Sequence, residues 1–390
     1  MANTLTVTSL LENIYRAKDQ VAAEPTGFIQ SVMVNSGSEG VSLGGTVLSH
    51  TTAAPTLNST YTPSMTLPDG DDQTVSTASM TIGQVANVRI PFKGETLKQI
   101  MSTAGQKVVD DMFAQAIRKI RNAIEAHLGT TLKNGASRAT GTAGTSPFAT
   151  NINPLVDARQ ILLDNGCPMD DGELSLVINS LSGTKLRQIA NLYKVNEAGD
   201  SALLRRGELT NLMGISIKES AGVATHTKGG ATGQLINNGN IAIGSTTLTL
   251  DTITVNTTGL TAGDIFYTAT EGSGGNRYVI KTGLVATAGD IVINNPGLVV
   301  ATANNDALTL TNTYTGNSLF HRNAVELVMR PPAQPYGGDA ATDRATIVDD
   351  KTGLVFEVAT YKGYGMSVVD ITCLYQAKVW KSEFVATLLG

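Results

Sequence analysis

The histidines are the residues of this chain that could most readily bind a metal ion or move a proton. The chain has 390 residues and four histidines, His50, His127, His226 and His321. None belongs to an HxxxH, HExxH or cysteine-paired pattern, the spacings that bring two metal ligands, or a ligand and a base, close together. The sequence therefore predicts no metal-binding and no catalytic histidine.

A second candidate is the serine of the pentapeptide KESAG, residues 218–222. The nucleophile elbow GxSxG needs glycine at its first position, because the chain turns sharply there from a strand into a helix. Lys218 replaces that glycine, and a β-rich segment follows in place of a helix. An esterase-like enzyme built on Ser220 is an alternative that Ser220→Ala would exclude by leaving every function intact.

Paired carboxylates could supply general acid–base catalysis. Adjacent Asp pairs occur at Asp71–Asp72, Asp110–Asp111, Asp170–Asp171 and Asp349–Asp350. Three of them flank predicted turns, where Asp hydrogen-bonds the backbone, and one lies on a predicted helix. No pair has an apolar neighbour beside one member only, the arrangement that would separate two pKa values.

The cysteine and glycine patterns predict no disulfide, metal-binding or phosphate-binding site. Cys167 and Cys373 lie far apart in apolar contexts, so neither a disulfide framework nor a CxxC metal knuckle is possible. The glycine-rich stretches 37–45 and 272–276 lie in predicted turns or loops, and no phosphate-binding GxxxxGK[ST] pattern occurs. The sequence predicts no catalytic, cofactor-binding or metal-binding residue, and no enzyme.

The composition is poor in charge. Asp, Glu, Lys and Arg make up 16% of the chain, against about 25% in an average soluble domain, and the net charge is −5. This balance argues against electrostatic nucleic-acid binding, because neutralising phosphates needs clustered Lys and Arg. The basic clusters 118–121 and 205–206 are short, and the first fits the solvated face of a helix. A surface of Thr, Ala, Asn and Gly suits a protein covered by partners, and also a secreted β-rich protein.

The opening segment predicts a short amphipathic helix over residues 4–22. It has no basic stretch ahead of an apolar core, so no signal peptide is predicted. No apolar run reaches the roughly 18 residues of a membrane-spanning helix. We therefore expect a cytoplasmic protein without a membrane segment.

A long hairpin arm is predicted over residues 36–93. Residues 37–72 are rich in Ser, Thr, Gly and Pro and contain no Lys or Arg, and a strand is predicted over 79–92. A two-stranded ribbon is marginally stable alone and its edges favour pairing with another strand. A disordered loop is the alternative, although loops of this length are uncommon inside compact domains.

The strongest helical pattern spans residues 95–129, with apolar residues at four-residue steps from Ile100 to Leu128. A continuous helix of this length would be about 50 Å long, with Gly105 as a bend and Gly129 as its end. Its charged residues are expected on the other faces. A charge at Ile117 or Ile120 is expected to abolish folding.

After the long helix the chain is predicted to alternate between helices and strands, and then to become β-rich. A helix beginning at Asn153–Pro154, a buried strand over 173–180, a helix over 182–193 and strands after Arg206 are predicted. The block 222–316 contains only short strand-like runs separated by turns, as in a small barrel or sandwich. Residues 345–380 predict an antiparallel sheet. The fold class is α+β with an inserted all-β module.

Several stretches, in chain order, resemble major capsid proteins of short-tailed bacteriophages. They resemble the P-twenty-two-like coat proteins, which have the Hong Kong ninety-seven-type capsid fold. The stretches include FAQAIRKI on the long helix, SRATGTAGTSPF (137–148), YKVNEAG (193–199), FHRNAVELVMRPPAQPYGGDAATDR (320–344) and DDKTGLVFEVATYKGYG (349–365). With the two ends of the chain they cover almost its whole length, and the β-rich block is the part with the fewest matching motifs.

The resemblance implies a division of the chain. It implies an N-terminal arm over 1–35, an extended β-hairpin called the E-loop over 36–93, and a peripheral domain with a spine helix over 94–150. An axial domain would comprise 151–222 and 317–390. The β-rich block 223–316 would be an inserted β-barrel, the insertion domain, which steadies the subunit during folding and touches neighbours on the outer surface.

The implied function is that of a major capsid protein, a structural protein that forms the icosahedral head shell of a tailed phage. The implied partners are other copies in hexamers and pentamers, a scaffolding protein during procapsid assembly, a portal protein at one vertex, and packaged double-stranded DNA. The implied location is the virion, after assembly in the bacterial cytoplasm. Two alternatives stay open, an encapsulin-type nanocompartment shell and a β-rich surface binding protein. Some proteins of this fold are crosslinked through Lys and Asn; Lys93 is present, but no pair is singled out.

Overall fold

The computed structural model describes residues 23–37, 40–52, 55, 57, 63–66, 70, 75–103, 106–189, 192, 211–237, 239–256, 258–348 and 353–390. Its α-helices are α1 (Gly94–Thr103), α2 (Gln106–Gly135), α3 (Asn153–Asp164) and α4 (Ser180–Arg187). The predicted helix 4–22, the basic pair 205–206 and most of the segment 53–74 lie outside these residues.

The described residues form 21 β-strands. The first eight are β1 (Met33–Ser36), β2 (Thr46–Thr52), β3 (Val75–Thr81), β4 (Gln84–Lys93), β5 (Arg138–Gly141), β6 (Leu174–Ile178), β7 (Asn211–Leu212) and β8 (Ile215–Glu219). The next seven are β9 (Thr225–His226), β10 (Leu235–Ile236), β11 (Thr247–Asp251), β12 (Ile265–Thr268), β13 (Arg277–Thr282), β14 (Gly289–Ile293) and β15 (Leu308–Leu310). The last six are β16 (Tyr314–His321), β17 (Val325–Arg330), β18 (Ala341–Val348), β19 (Val355–Gly363), β20 (Met366–Val379) and β21 (Val385–Leu389).

The strands form three sheets. One has six strands in the order β1-β17-β20-β19-β18, and β4 pairs with the other edge of β20. The second has 13 strands and runs from β10 through β11, β14, β13, β5, β21, β16 and β6 to β8 and β7. The third is the isolated antiparallel pair β2–β3, which we call the ribbon.

The helices cover the sheets in layers. Alternate residues of β6, β16 and β21 face opposite sides of the large sheet, as the two-residue period of a strand requires. Those on one side pack with α3 and α4 in one hydrophobic cluster, and those on the other side pack with α2 in another. The α2 cluster also contains buried residues of β4, β17, β19 and β20, so α2 lies between the two large sheets.

The long helical pattern differs from the prediction at its C-terminal end. Residues 94–103 and 106–135 are helical as α1 and α2, and the predicted bend at Gly105 lies outside the described residues. Gly129 does not end α2, which continues to Gly135. A Cβ on Gly129 would lie 2.1 Å from the carbonyl oxygen of Gly222, so this glycine permits a close backbone approach within the helix. Ile120 is buried, whereas Ile117 is only partly buried against the core.

The strand predicted over 79–92 is two strands. β3 ends at Thr81 in the ribbon, and β4 begins at Gln84 in the six-stranded sheet, with Ile82 and Gly83 between them. The alternation continues across the break, since Met80, Ile82 and Ile90 are all buried. Because the two-residue alternation of buried side chains does not change, the sequence does not show that the chain passes from the ribbon into the six-stranded sheet.

The two short helices follow the predicted order, but α4 ends at Arg187, well before the predicted residue 193. Asn153 is the first residue of α3, and Ile152 takes the cap position, while the Asn151 side chain accepts a hydrogen bond from the Asn153 N–H. α4 begins at Ser180, and the Asn179 side chain caps it by accepting from the Ser182 N–H. The strand between the helices, β6, is buried at all five positions.

The β-rich block contains only strands in its described part. Its core of 15 buried residues is separate from the other clusters and includes Phe266 and Tyr278. The run GLVVAT (297–302), predicted as a strand, is not one, since it contributes only an isolated bridge between Thr302 and Ile241. The block is not a separate sheet, because β13 pairs with β5, which pairs in parallel with β21.

The predicted antiparallel sheet near the C-terminus is present as β19 and β20, joined by a turn at Tyr364–Gly365. Gly365 has φ +68°, the left-handed conformation that favours glycine in such a turn. β18 extends this sheet on its far side, beginning a few residues earlier than predicted.

Candidate functional site

The serine of KESAG does not lie in a nucleophile elbow. Ser220 follows β8, is 3% exposed, and donates from Oγ to Oε1 of Glu125 at 2.6 Å. Its Oγ also accepts from the Gly222 N–H at 2.9 Å. The same carboxylate accepts two further hydrogen bonds from the backbone N–H groups of Phe28 and Ile29, which hold it in place and oppose its protonation. The hydroxyl fixes the local chain and does not face a substrate cavity.

The four histidines lie in separate places. His226 contacts Lys133 and Asp264, and His321 contacts Asp171 with 2.7 Å between Nε2 and Oδ2. Nδ1 of His321 accepts from the Asn323 N–H, which leaves Nε2 as the protonated nitrogen that donates to Asp171.

The remaining two histidines have no carboxylate partner in the contacts of the described residues. His127 packs edge-on against Tyr375, and burial lowers the pKa of its imidazole. His50 lies on the exposed face of the ribbon. No group of three His, Cys, Asp or Glu side chains in the described residues could hold a metal ion.

The cysteines and the Asp pairs also remain apart. Cys167 and Cys373 are free and buried, and burial raises the pKa of their thiols to about 11 and about 12. A thiol with so high a pKa is a poor nucleophile at neutral pH.

Of the Asp pairs, Asp71–Asp72 and Asp349–Asp350 lie outside the described residues. No helix in the described part is long and apolar enough to cross a membrane.

Glu125 is a buried carboxylate of α2, although the sequence predicts the charged residues of this helix away from its apolar stripe. It is 2% exposed, and its carboxylate accepts from the N–H groups of Phe28 and Ile29 at 2.7 and 3.0 Å. Burial raises the pKa of this carboxyl, which the hydrogen bond from Ser220 and the bonds from the backbone oppose. Glu125 thus caps the turn at 27–31 from outside, as a carboxylate does at a helix N-terminus.

Arg118, two turns earlier on α2, fastens the same segment. Its guanidinium pairs with Glu24, and this hydrogen bond lowers the pKa of the Glu24 carboxyl. Arg118 and Glu125 together hold residues 24–29 along α2. The sequence predicts a solvated helix face for residues 118–121, whereas Arg118 forms an ion pair with the neighbouring segment through Glu24.

A buried polar cluster joins the end of α2 to the β-rich block. Nζ of Lys133 lies 3.1 Å from Nδ1 of His226, and Nε2 of His226 lies 2.9 Å from Oδ1 of Asp264. Asp264 is 1% exposed and also accepts from the N–H groups of Gly229 and Thr261. A protonated Lys133 donates to Nδ1, so His226 carries its proton on Nε2 and donates it to Asp264.

The electrostatics of Asp264 follow from these contacts. Burial alone raises the pKa of its carboxyl, but the hydrogen bonds from His226, Thr261 and Gly229 outweigh that effect and place the pKa below its ordinary value. Burial lowers the pKa of the Lys133 ammonium, and the Asp264 charge opposes this shift. The cluster is a structural junction with one cation and one anion.

Arg138 makes a second junction at the start of β5. It is 4% exposed and donates to Oδ1 of Asn276 in the block at 2.9 Å and to Oδ1 of Asn165 beside α3 at 3.1 Å. Asn294 adds a third link by donating to the carbonyl oxygens of Asn134 and Ala136, both at 2.8 Å. Lys133 and Arg138 have no distinguishing pattern in the sequence, since their partners in the β-rich block, His226 and Asn276, lie more than 90 residues away.

The ribbon is the part of the described chain with the most uncovered apolar surface. Its strands pair from Thr46↔Thr81 to Thr52↔Val75, and every side chain on the face that includes Leu48 is exposed. Large exposed apolar side chains in and next to it are Leu43, Leu48, Leu57, Met65 and Val75. In the described residues neither β2 nor β3 pairs with any other strand, so one full face and both edges are open to a partner.

The base of the ribbon is anchored to the body. Met80 and Ile82 are buried in a small cluster with Val328 and Leu374. The Gly83 N–H donates to Oε1 of Gln376 at 3.3 Å. The ribbon therefore projects from a fixed root and does not fold back on the body.

No protein-family model and no curated protein matches this chain. Among solved structures, the capsid of the cyanophage P-SCSP1u is similar over 95% of this chain and 89% of the other, with TM-score 0.52 and 12% identity. The mature capsid of bacteriophage PhiM1 covers 95% of this chain and 89% of its own, with TM-score 0.49 and 10% identity. The capsid of the Myoviridae phage XM1 covers 95% and 93%, with TM-score 0.47 and 12% identity.

Only the first of these likenesses has a TM-score above 0.5, and it supports the fold. The order of a projecting ribbon, a long helix, a central sheet with helices on its other face and a late β-rich block matches the architecture expected from the sequence. The chain has the Hong Kong ninety-seven-type fold of bacteriophage major capsid proteins.

Proposed function

We propose that the protein is a major capsid protein of a tailed bacteriophage, which self-assembles into an icosahedral head shell around double-stranded DNA. The observation that carries this proposal is a capsid-type fold with an anchored ribbon whose exposed face has no partner in the described chain. The proposed action is association without covalent chemistry. In the described residues, Ser220, Cys167 and Cys373 are buried, which suits a structural role.

Burial of the ribbon on a neighbouring copy supplies the driving force. Leu48 is 60% exposed and Val75 58% exposed, and both lie on the uncovered face. Covering apolar surface stabilises an interface by about 25 cal/mol per Å² before the cost of association. Each contact can be weak, because a closed shell repeats it at every subunit.

The division of the chain into domains is part of the proposal. Residues 1–35 form the N-terminal arm, 36–93 the E-loop, 94–150 the peripheral domain, and 151–222 with 317–390 the axial domain. Residues 223–316 form the insertion domain, a β-barrel. The separate core of the β-rich block and the glycine-rich base of the ribbon support this division.

The proposed partners extend beyond other copies in hexamers and pentamers. A scaffolding protein would guide procapsid assembly and a portal protein would occupy one vertex, as in P-twenty-two-like phages. Assembly would take place in the host cytoplasm, and the mature location is the virion. The net charge of −5 supports loose packing of DNA, since an acidic shell does not grip phosphates.

Electron microscopy with sedimentation on the full chain, alone and with the scaffolding protein of its phage, tests the function. Uniform closed shells, with one size reached when scaffold is present, are the expected outcome. A persistent monomer under both conditions would overturn the proposal. Shells that enclose a protein cargo and no DNA in infected cells would favour the encapsulin-type alternative.

A further inference from the structure

A chain of contacts connects the strand β1 to the root of the ribbon. It begins at Asn35, whose Nδ2 donates to Oε1 of Glu326 at 2.7 Å. Oε2 of the same carboxylate accepts from Nε1 of Trp380 at 2.8 Å. Nζ of Lys378 lies 4.4 Å from the centroid of the Trp380 ring and donates to the carbonyl oxygen of Ser79 in β3.

Glu326 is the central member of this chain. It is 5% exposed, and each of its oxygens accepts one of these bonds, from Asn35 on one side and from Trp380 on the other. A buried carboxylate that loses a donor loses stabilisation that water cannot replace. Displacing β1 would therefore leave Glu326 free to rotate towards a new donor, which would loosen its bond to Trp380.

Lys378 transmits the position of the indole to the ribbon. A cation over the face of Trp is held by the ring quadrupole, so a shift of the ring shifts the preferred position of the ammonium. The same ammonium holds Ser79, the residue before the buried Met80 at the base of the ribbon. Beyond that base no described strand pairs with the ribbon, so a small change at Ser79 changes its angle to the body.

We propose that Asn35, Glu326, Trp380 and Lys378 couple the seating of β1 to the angle at which the ribbon leaves the body. All four are positioning residues. Arg330 supports the first step, because its Nη2 donates to Oδ1 of Asn35 at 3.0 Å and fixes the orientation of that amide. Its consequence for a shell rests on the function proposed above: copies whose β1 is seated differently would present their ribbons at different angles.

The coupling is measurable on the unassembled full-length chain by energy transfer. Trp380 is the only tryptophan, and both cysteines are buried, so a thiol-reactive acceptor will label an introduced cysteine selectively. Thr52→Cys places it at the far end of the described ribbon, opposite Val75 and about 20 Å along the strand from its base. The donor-only lifetime of each variant provides the reference, because the substitutions alter the surroundings of Trp380 itself.

Asn35→Ala and Lys378→Met are each expected to shift the mean transfer efficiency and broaden its distribution. Because they break one pathway, the double variant is expected to shift it no further than the larger single change. Arg89→Met, which removes an exposed ion pair with Asp370 elsewhere on the same sheet, is the matched control and should leave the transfer unchanged.

Two results would overturn the coupling: unchanged transfer in Asn35→Ala, or fully additive effects in the double variant. Glu326→Gln keeps the shape of the side chain and removes one of its two acceptor bonds, so it repeats the test if Asn35→Ala fails to fold. Because no shell is formed in this experiment, its failure is distinguishable from a failure of the proposed function.

Discussion

The ribbon and the β-rich block are both β-structure attached to the body, but they differ in how many of their apolar side chains are buried. The block buries 15 apolar residues in a core of its own. The ribbon has two strands and buries only Met80, at its base, while Leu48 is 60% exposed. A two-stranded ribbon has no second layer to cover either face.

The difference indicates that the β-rich block buries its apolar surface within the chain, whereas the apolar face of the ribbon is available to a partner. The block is also tied to the body by three sets of polar contacts, centred on His226, Arg138 and Asn294. The ribbon is tied only at its root. Substitutions in the block should therefore change the stability of the isolated chain, and substitutions in the ribbon should change association.

The largest effect is expected from Phe266→Ala in the core of the block. Phe266 is fully buried, with its ring centroid 5.7 Å from that of the tilted Tyr278 ring, so its removal leaves a cavity that costs about 3–5 kcal/mol of unfolding free energy. Urea unfolding measures the loss. Val285→Ala, at a 67% exposed position of the same block, is the control and should cost less than about 0.5 kcal/mol. Equal losses in the two variants would mean that the block has no fixed core.

An intermediate, pH-dependent effect is expected from Asp264→Asn at the junction. The folded-state pKa of Asp264 lies below its ordinary value, so the ionised carboxylate contributes stability above the unfolded-state pKa of about 3.9. That contribution is lost as the pH falls below this value and through the folded-state pKa. The stability difference between the wild type and Asp264→Asn should be largest near neutral pH and shrink under acid conditions.

Urea unfolding at a series of pH values measures this difference. Asp290→Asn is a suitable control, because Asp290 lies on β14 of the same block but accepts only from the exposed Thr249 side chain. A difference for Asp264→Asn that stays constant or grows towards acid would contradict the assigned role of the carboxylate.

The smallest effect on folding is expected from Leu48→Asn in the ribbon. Leu48 is 60% exposed and belongs to no hydrophobic cluster of the described residues, so the unfolding free energy should change by less than about 0.5 kcal/mol. Shell formation should weaken, because covering one leucine contributes about 1.5–3 kcal/mol per contact. Sedimentation of shells against free subunits measures this change.

Ile243→Asn is the matched control for the ribbon. Ile243 is 67% exposed, as apolar as Leu48, and lies in the β-rich block. Shell yield should fall more for Leu48→Asn than for Ile243→Asn, because the β-rich block closes a core of its own and the ribbon does not. If both variants assembled as well as the wild type, the ribbon would not be the contact surface.

The order of elements was predictable because its causes are local. The apolar stripe from Val108 to Leu128 forms a helix, and the apolar run at 174–178 forms a strand. The region between Gly222 and Gly316 is β-structure in its described part. Periodicity and turn residues determine these features within a window of a few residues. The ribbon was found by the same reasoning, from a glycine- and proline-rich segment followed by alternation.

The buried charges were not predictable, because their causes are distant in the sequence. Glu125 lies next to Ile124 in the helix, outside the predicted apolar stripe, and it is buried because of donors that are 95 to 97 residues away. Gly129 was expected to end the helix because glycine commonly does so. Only the position of the Gly222 carbonyl explains why the helix continues through it.

The strand β5 has a mechanical consequence. It pairs in parallel with β21 in the body and antiparallel with β13 in the β-rich block, so the block and the body share one hydrogen-bonded sheet. A force that pulls the block along these strands loads the β13–β5 and β5–β21 backbone pairs together, in shear. Strain applied to the β-rich block is therefore carried through β5 into the central sheet.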